Sequence, residues 1–348
     1  MNFGVVEGFF GPAWPLKDRL EYAEFLKNIG GQFYIYAPKQ DQHLRKAWRE
    51  KWDQKYLSEL ALMAEEFHRH GIEFGVALSP FALGQNLNLD DKKHLQDKLT
   101  LLTDVGVDIL GVFFDDMPVT QNLSTVQIEV MDQIHQYFKK KIVFCPSFYC
   151  FDPILDKVFG KKPEGYLEHL AEKIPSDVAM AWTGPKVISP EISISHLKEV
   201  TKLLKRKPFI WENFFANDGP KNCKFLKLKP FIGREVGVDH ETEGWSFNMM
   251  NQPQLSMITL LASKKVLDGS PDSTVAFDEA LREKCTKGFA TFIQKHAQDF
   301  LNLGLDQISQ EQKDQMLEEL SGHSDPSARE VEAWLKGDYV VGSECLTD

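Results

Sequence analysis

Eight short runs of β-branched, aromatic and other apolar residues recur along this chain, separated by stretches whose apolar residues fall three or four apart. The runs cover 3–8, 32–37, 73–79, 109–114, 142–146, 178–182, 209–211 and 245–248. Most are continuously apolar instead of alternating. Strands of that kind are buried on both faces, as in a parallel sheet covered by its own crossover helices. Between them, Leu16, Leu20, Ala23 and Leu26 form one helical stripe, and Leu57, Leu60, Ala64 and Phe67 another. Leu95, Leu99, Leu102 and Val105 form a third, and shorter ones follow at Val130–Tyr137, Leu167–Leu170 and Leu197–Leu204. Gly30, Gly71 and Gly106 stand where helix-ending glycines belong. Eight βα units over roughly 270 residues predict an α/β fold, a (β/α)₈ TIM barrel. A doubly wound sheet is the alternative, but its Gly-rich phosphate turn and the P-loop pattern are both absent.

The chain has 348 residues, more than the roughly 250 such a barrel needs. The composition changes at Gly269-Ser-Pro-Asp-Ser-Thr274, where turn and helix-start residues collect. The expected division is a barrel over 1–268 and a small C-terminal helical extension over 269–348. Its helices are predicted over 277–303, 310–320 and 327–335, packing on the barrel or serving as the surface of a homodimer.

Charge narrows the partners. Forty basic against 51 acidic residues give a net charge of −11, and the basic clusters are confined to Lys139-Lys140-Lys141 and Lys205-Arg206-Lys207. That balance speaks against nucleic acid and anionic membranes. No apolar run is long enough to span a bilayer. The start reads as a first strand and not as a signal peptide, so a cytoplasmic location is expected with Met1 as the native start. Five cysteines without a Cys-x-x-Cys pair predict neither a disulfide framework nor a zinc site. His68 and His70 lie on a charged helix face, where solvated side chains are the plainer reading. Neither metal nor cofactor is expected.

A barrel carries its active site at the C-terminal ends of its strands. Those ends read Glu7-Gly8, Lys39-Gln40-Asp41, Ser79-Pro80, Asp115-Asp116, Pro146 with Tyr149, Trp182-Thr183, Trp211-Glu212-Asn213 with Asn217-Asp218, and Asn248. Carboxylates and amides bind hydroxyls, and aromatic rings pack against sugar C–H faces. Phe113-Phe114-Asp115-Asp116 is the sharpest signal. Where a strand gives way to a loop, alternation breaks and both carboxylates can face the mouth. Crowding and burial then separate their pKa values, leaving one protonated as a general acid beside an ionised neighbour. Each residue also has a plainer reading. Asp115-Asp116-Met117-Pro118 suits a polar turn, Lys39 a solvated loop, Trp182 and Trp211 a core, Tyr149 a buried ring, and Asn213 and Asn217-Asp218 caps.

Several of these segments together resemble the O-GlcNAcase and bacterial hyaluronoglucosaminidase-like family of glycoside hydrolases (family 84). They are Gly4-Val-Val-Glu-Gly-Phe-Phe-Gly11, Tyr36-Ala-Pro-Lys39, Phe114-Asp-Asp116, Phe144-Cys-Pro146 with Tyr149-Cys150, Trp182-Thr-Gly-Pro-Lys186, and Ile210-Trp-Glu-Asn213 followed by Ala216-Asn-Asp218. The resemblance implies a retaining exo-β-N-acetylglucosaminidase without metal or cofactor, in which the substrate's acetamido oxygen is the nucleophile and an oxazoline forms. It implies a GlcNAc-bearing glycoprotein or small glycoside as substrate. By the same resemblance Asp115 orients the acetamido group, and Asp116 is the general acid and then base. Tyr149 bonds the acetamido group, and Trp211 walls its pocket. Gly8, Lys39, Asn213, Asp218 and Asn248 hold hydroxyls or the oxazoline. Gln40 and Glu212 depart from the family pattern without removing a matched catalytic group. A hyaluronidase-type endo-glycosidase and a catalytically silent GlcNAc-binding barrel are the alternatives.

Overall fold

Eight parallel strands close on themselves in sequence order: β1 (Phe3–Glu7), β2 (Phe33–Tyr36), β3 (Glu73–Leu78), β4 (Ile109–Phe113), β5 (Lys141–Cys145), β6 (Ala179–Trp182), β7 (Phe209–Glu212) and β8 (Gly244–Phe247). The last strand returns to the first, with Phe3 opposite Trp245 and Val5 opposite Phe247. The computed structural model describes residues 2–83, 86–342 and 345–347. Each predicted run overlaps one strand, with ends that differ by no more than one residue. β1, β2, β4, β7 and β8 are buried along their whole length, which is why their sequences do not alternate.

Helices α1 (Leu16–Ile29), α2 (Gln54–Arg69), α3 (Leu89–Val105), α4 (Leu123–Tyr137), α5 (Pro153–Phe159), α6 (Tyr166–Lys173), α7 (Ile194–Leu204) and α8 (Pro253–Leu267) cover the barrel. Their starts are set locally: the side chains of Asp53, Asn88 and Ser193 accept the N–H of Tyr56, Asp91 and His196. Each such cap contributes about 1 kcal/mol. Gly30 and Gly106 end α1 and α3 in the left-handed region, at φ +77° and +95°. His68 and His70 bond separate carboxylates, Asp108 and Glu66, and do not converge.

The C-terminal part adds α9 (Ser273–Lys284), α10 (Lys287–Asn302), α11 (Gly304–Gln307), α12 (Gln310–Leu320) and α13 (Pro326–Leu335). The single helix predicted over 277–303 is therefore two. Thr286 starts the second, accepting from Phe289 N–H, and is held in place by Asp325, which accepts both its N–H (2.8 Å) and its hydroxyl (2.7 Å). The apolar stripe runs on through Leu281, Phe289 and Phe292, so periodicity hid the break.

These helices pack on the barrel. Glu330 accepts the N–H groups of Gln254 (2.9 Å) and Leu255 (2.8 Å) at the start of α8, and the indole N–H of Trp334 bonds the carbonyl of Cys223 (3.1 Å). No helix among the described residues is long and apolar enough to cross a membrane.

Candidate active site

The chain turns sharply after β4. Phe114 still donates its N–H to the carbonyl of Cys145 (2.9 Å), and Asp116 takes a φ of +56°. Aspartate tolerates that left-handed conformation better than most residues. The turn breaks the two-residue alternation, and Asp115 and Asp116 line the same cavity. Gly8, Lys39, Tyr149, Trp211, Asn213, Asp218 and Asn248 line it with them. The space measures about 550 Å³, its open solvent included. Six strand ends, with the loops that follow them, thus bring together every residue that the sequence singled out as a site residue.

Lys39 is buried, not solvated. Its ammonium bonds Asp115 Oδ2 and stands 3.9 Å from Asp116 Oδ2, with the rings of Phe10 and Trp211 at 6.0 and 5.8 Å. The other oxygen of Asp115, Oδ1, is buried and has no hydrogen-bond partner among the described residues. Leaving a buried acceptor unpaired costs roughly 1–3 kcal/mol, so the site offers an N–H donor a prepared place.

Asp116 differs from its neighbour. Burial pushes its carboxyl above the usual carboxylate range. The ammonium of Lys39 opposes that rise, and the charge of Asp115 adds to it. The Tyr149 hydroxyl donates to Asp116 Oδ1 over 3.4 Å. Asp218 accepts the N–H of Phe10 at 2.9 Å. Its carboxyl is pushed up to about 6, chiefly by burial and in part by the charge of Asp116.

A relay of amides fixes the opposite wall. Asn213 donates to the carbonyl of Val187 (2.9 Å), Asn248 donates to Asn213 Oδ1 (2.9 Å), and the Gly8 N–H donates to Asn248 Oδ1 (3.1 Å). With that N–H engaged, Gly8 has only its carbonyl to offer a ligand. Glycine is required there, because a Cβ would stand 2.3 Å from Trp211 Cζ2.

Two other strand-end carboxylates do not line the cavity. Glu7 is wholly buried and receives Arg19 through two bonds (2.8 and 2.7 Å) together with the N–H of Trp14 (3.1 Å) and the Tyr34 hydroxyl. Glu212 pairs with Arg234 (Nε 2.9 Å) and accepts Phe214 N–H (3.0 Å). Trp182 is a core residue whose indole N–H faces His196 Nε2 at 3.1 Å. Sequence reasoning missed Phe10, Thr183, Val187, Asn222, Cys345 and Thr347 as lining residues. Phe10 and Thr183 lay inside segments already singled out. Cys345 and Thr347 carried no local signal.

Comparison with known proteins gives a consistent answer. Residues 3–302 match the family model described as NAGidase, beta-N-acetylglucosaminidase. The proteins named Protein O-GlcNAcase from Rattus norvegicus and Mus musculus are each 32% identical over 255 residues, which is 69% of this chain and 27% of theirs. The chain therefore spans about a quarter of the length of these relatives. A solved mutant of the Thermobaculum terrenum O-GlcNAc hydrolase superposes with a TM-score of 0.83 at 25% identity, covering 96% of this chain and 80% of that one.

Proposed function

The chain belongs to the beta-N-acetylglucosaminidase family of glycoside hydrolases, and from that membership we propose that it is a retaining exo-β-N-acetylglucosaminidase working by substrate assistance. The observation that carries this is the division of labour within Asp115-Asp116. Asp115, held by Lys39 and keeping Oδ1 open, accepts the acetamido N–H of a bound GlcNAc and turns the acetamido oxygen toward the anomeric carbon. That oxygen forms its bond to the carbon as the glycosidic bond breaks. Asp116, whose raised pKa favours the protonated form, gives its proton to the departing oxygen. The carboxylate it leaves behind takes a proton from the water that opens the oxazoline. Trp211 walls the N-acetyl pocket, Tyr149 bonds the acetamido group, and Lys39 and Asn213 hold the sugar. Asn248 fixes Asn213 and the Gly8 backbone.

Asp218 favours the exo reading over a hyaluronidase. A half-buried carboxylate gripping the hydroxyls at the far end of the ring leaves no room for a further sugar there. Substrates are terminal GlcNAc on Ser or Thr of glycoproteins, or small GlcNAc glycosides. A cytoplasmic place of work belongs to the same reading, in keeping with described cysteines that are not joined in disulfides.

The test is a series of aryl β-glycosides carrying acetyl, then mono-, di- and trifluoroacetyl groups. Fluorine weakens the acetamido oxygen as a nucleophile, so kcat/KM should fall steadily along the series, with β-configured sugar as the first product by proton NMR. A flat series or an initial α-product would overturn the mechanism.

A further inference from the structure

Asp218 is held by groups that do not line the cavity. It stands in the loop after β7, and a carboxylate on a loop rotates freely unless its surroundings lock it. Its Oδ2 accepts the N–H of Phe10, in the loop after β1, at 2.9 Å. The carbonyl of the same Phe10 accepts Asn251 Nδ2, from the loop after β8, at 2.8 Å. The backbone N–H of Asn251 donates to Asn217 Oδ1 at 2.9 Å, and Asn217 is the residue before Asp218. The bonds thus form a closed circuit through the loops of three neighbouring strands, β7, β8 and β1. Asn217 Nδ2 adds bonds to the carbonyl of Phe225 (3.0 Å) and to Gln252 Oε1 (2.9 Å). Gly11 makes room for the second amide: its φ is +104°, and a Cβ there would stand 2.8 Å from Asn251 Oδ1 and 3.0 Å from Nδ2.

We infer that Asn251 and Asn217 are positioning residues: through Phe10 they set the direction of the Asp218 carboxylate, and so govern how firmly the far hydroxyls of the sugar are held. The inference rests on the hydrolase reading above and on the place of Asp218 in it. Both amides are buried, Asn217 wholly and Asn251 to all but 2% of its surface. Burying an amide is unfavourable unless its bonds compensate, so a space that only had to be filled would suit apolar side chains better. What the amides supply in return is direction. Phe10 is gripped on both sides, its N–H by Asp218 and its carbonyl by Asn251, so the peptide that orients the carboxylate cannot rotate without breaking a second bond. A network whose members are all engaged holds a single geometry. The reacting end of the site is held by other groups, since Lys39 bonds Asp115 and the Tyr149 hydroxyl bonds Asp116. Loss of the circuit should therefore loosen sugar binding and leave proton transfer and acetamido attack as they are.

The experiment is a double-mutant cycle on para-nitrophenyl N-acetyl-β-glucosaminide, with the parent chain, Asn251→Ala, Asp218→Ala and the two combined. Thermal melting checks that each is folded. Asn251→Ala should raise KM about tenfold, the scale of one lost hydrogen bond, and leave kcat within about twofold of the parent. Without the Asp218 carboxylate there is nothing left to aim, so in the Asp218→Ala background the same change should move KM by less than about twofold. A merely structural asparagine would cost as much in both backgrounds. If Asn251→Ala does not fold, Asn251→Ser, which cannot reach the Phe10 carbonyl but keeps a polar side chain, takes its place in the cycle. An unchanged KM, a loss confined to kcat, or a KM effect that persists in full without Asp218 overturns the positioning role and leaves the hydrolase reading standing. A parent chain inert toward the aryl glycoside overturns that reading and the positioning role with it.

Discussion

The carboxylates at the ends of β1 and β7 and those at the end of β4 share one rim and have opposite environments. Glu7 and Glu212 are saturated: each meets a buried guanidinium and a backbone N–H. Asp115 keeps one buried oxygen open, and Asp116, largely buried beside a like charge, has a raised pKa. Saturated carboxylates hold the strand ends in position and have nothing left to offer a ligand. Unsaturated ones store an interaction that only a ligand completes. Burial alone does not separate the two classes, since all four are largely buried. The count of partners does.

The sharpest way to break this comparison is Asp116→Asn. Loss of general acid catalysis should lower kcat/KM by about 10²–10⁴-fold for a glycoside with an alkyl leaving group, with a much smaller loss for a para-nitrophenyl group. Equal losses across a leaving-group series would remove Asp116 from that role.

Glu212→Ala tests the other side. It strands Arg234 without its buried partner, and losses of about 3–5 kcal/mol in unfolding free energy are the norm for such a change. Denaturant melts should register it, whereas Asp116→Asn should melt near the parent chain or above it. If Glu212→Ala left stability untouched and abolished turnover, the division between holding and reacting carboxylates would fail.

Asp218→Ala is expected to weaken substrate binding by roughly 1–3 kcal/mol, the cost of leaving hydroxyls without their acceptor. The effect should appear in KM on small glycosides. Digests of long hyaluronan by the parent chain should contain no internal fragments ahead of free GlcNAc.

The smallest effect is one of pH. Asp218 must be ionised to accept hydroxyls, so kcat/KM should fall as pH drops below about 6, and Asp218→Asn should erase that limb. Its folded pKa lies above the ordinary 3.8, so the native state holds more protons than the unfolded chain between about pH 3.8 and 6. Its contribution to stability therefore declines as pH rises through that window. Asp116, needed protonated, should set the alkaline limb, and that limb should be absent in Asp116→Asn.

The sequence by itself determined the barrel and the strand ends from which its candidate site is drawn. Strands buried on both faces must be continuously apolar, helices between them must carry one stripe, and glycine must end a helix in the left-handed region. All of these are local requirements, legible at Val5-Val6, at Leu16 to Leu26 and at Gly30. The barrel rule then names the strand ends, which is how Lys39, Asp115-Asp116 and Asp218 could be found without coordinates.

Only the tertiary structure decided which strand-end groups face the cavity. Glu7 and Asp115 look alike in sequence, each ending an apolar strand. Arg19, Tyr34 and Trp14 close around the first, and a left-handed turn at Asp116 opens the second. Lys39 is a core cation because Asp115 waits for it, 76 residues away in sequence. The break at Thr286 depends on Asp325 in the same way. Cys345 and Thr347 line the cavity although they lie beyond α13, far in sequence from every strand end. Periodicity records what a residue's own element requires of it. A hydrogen-bond partner, a pKa and a place in a cavity wall come from residues distant in the chain, and only packing brings those together.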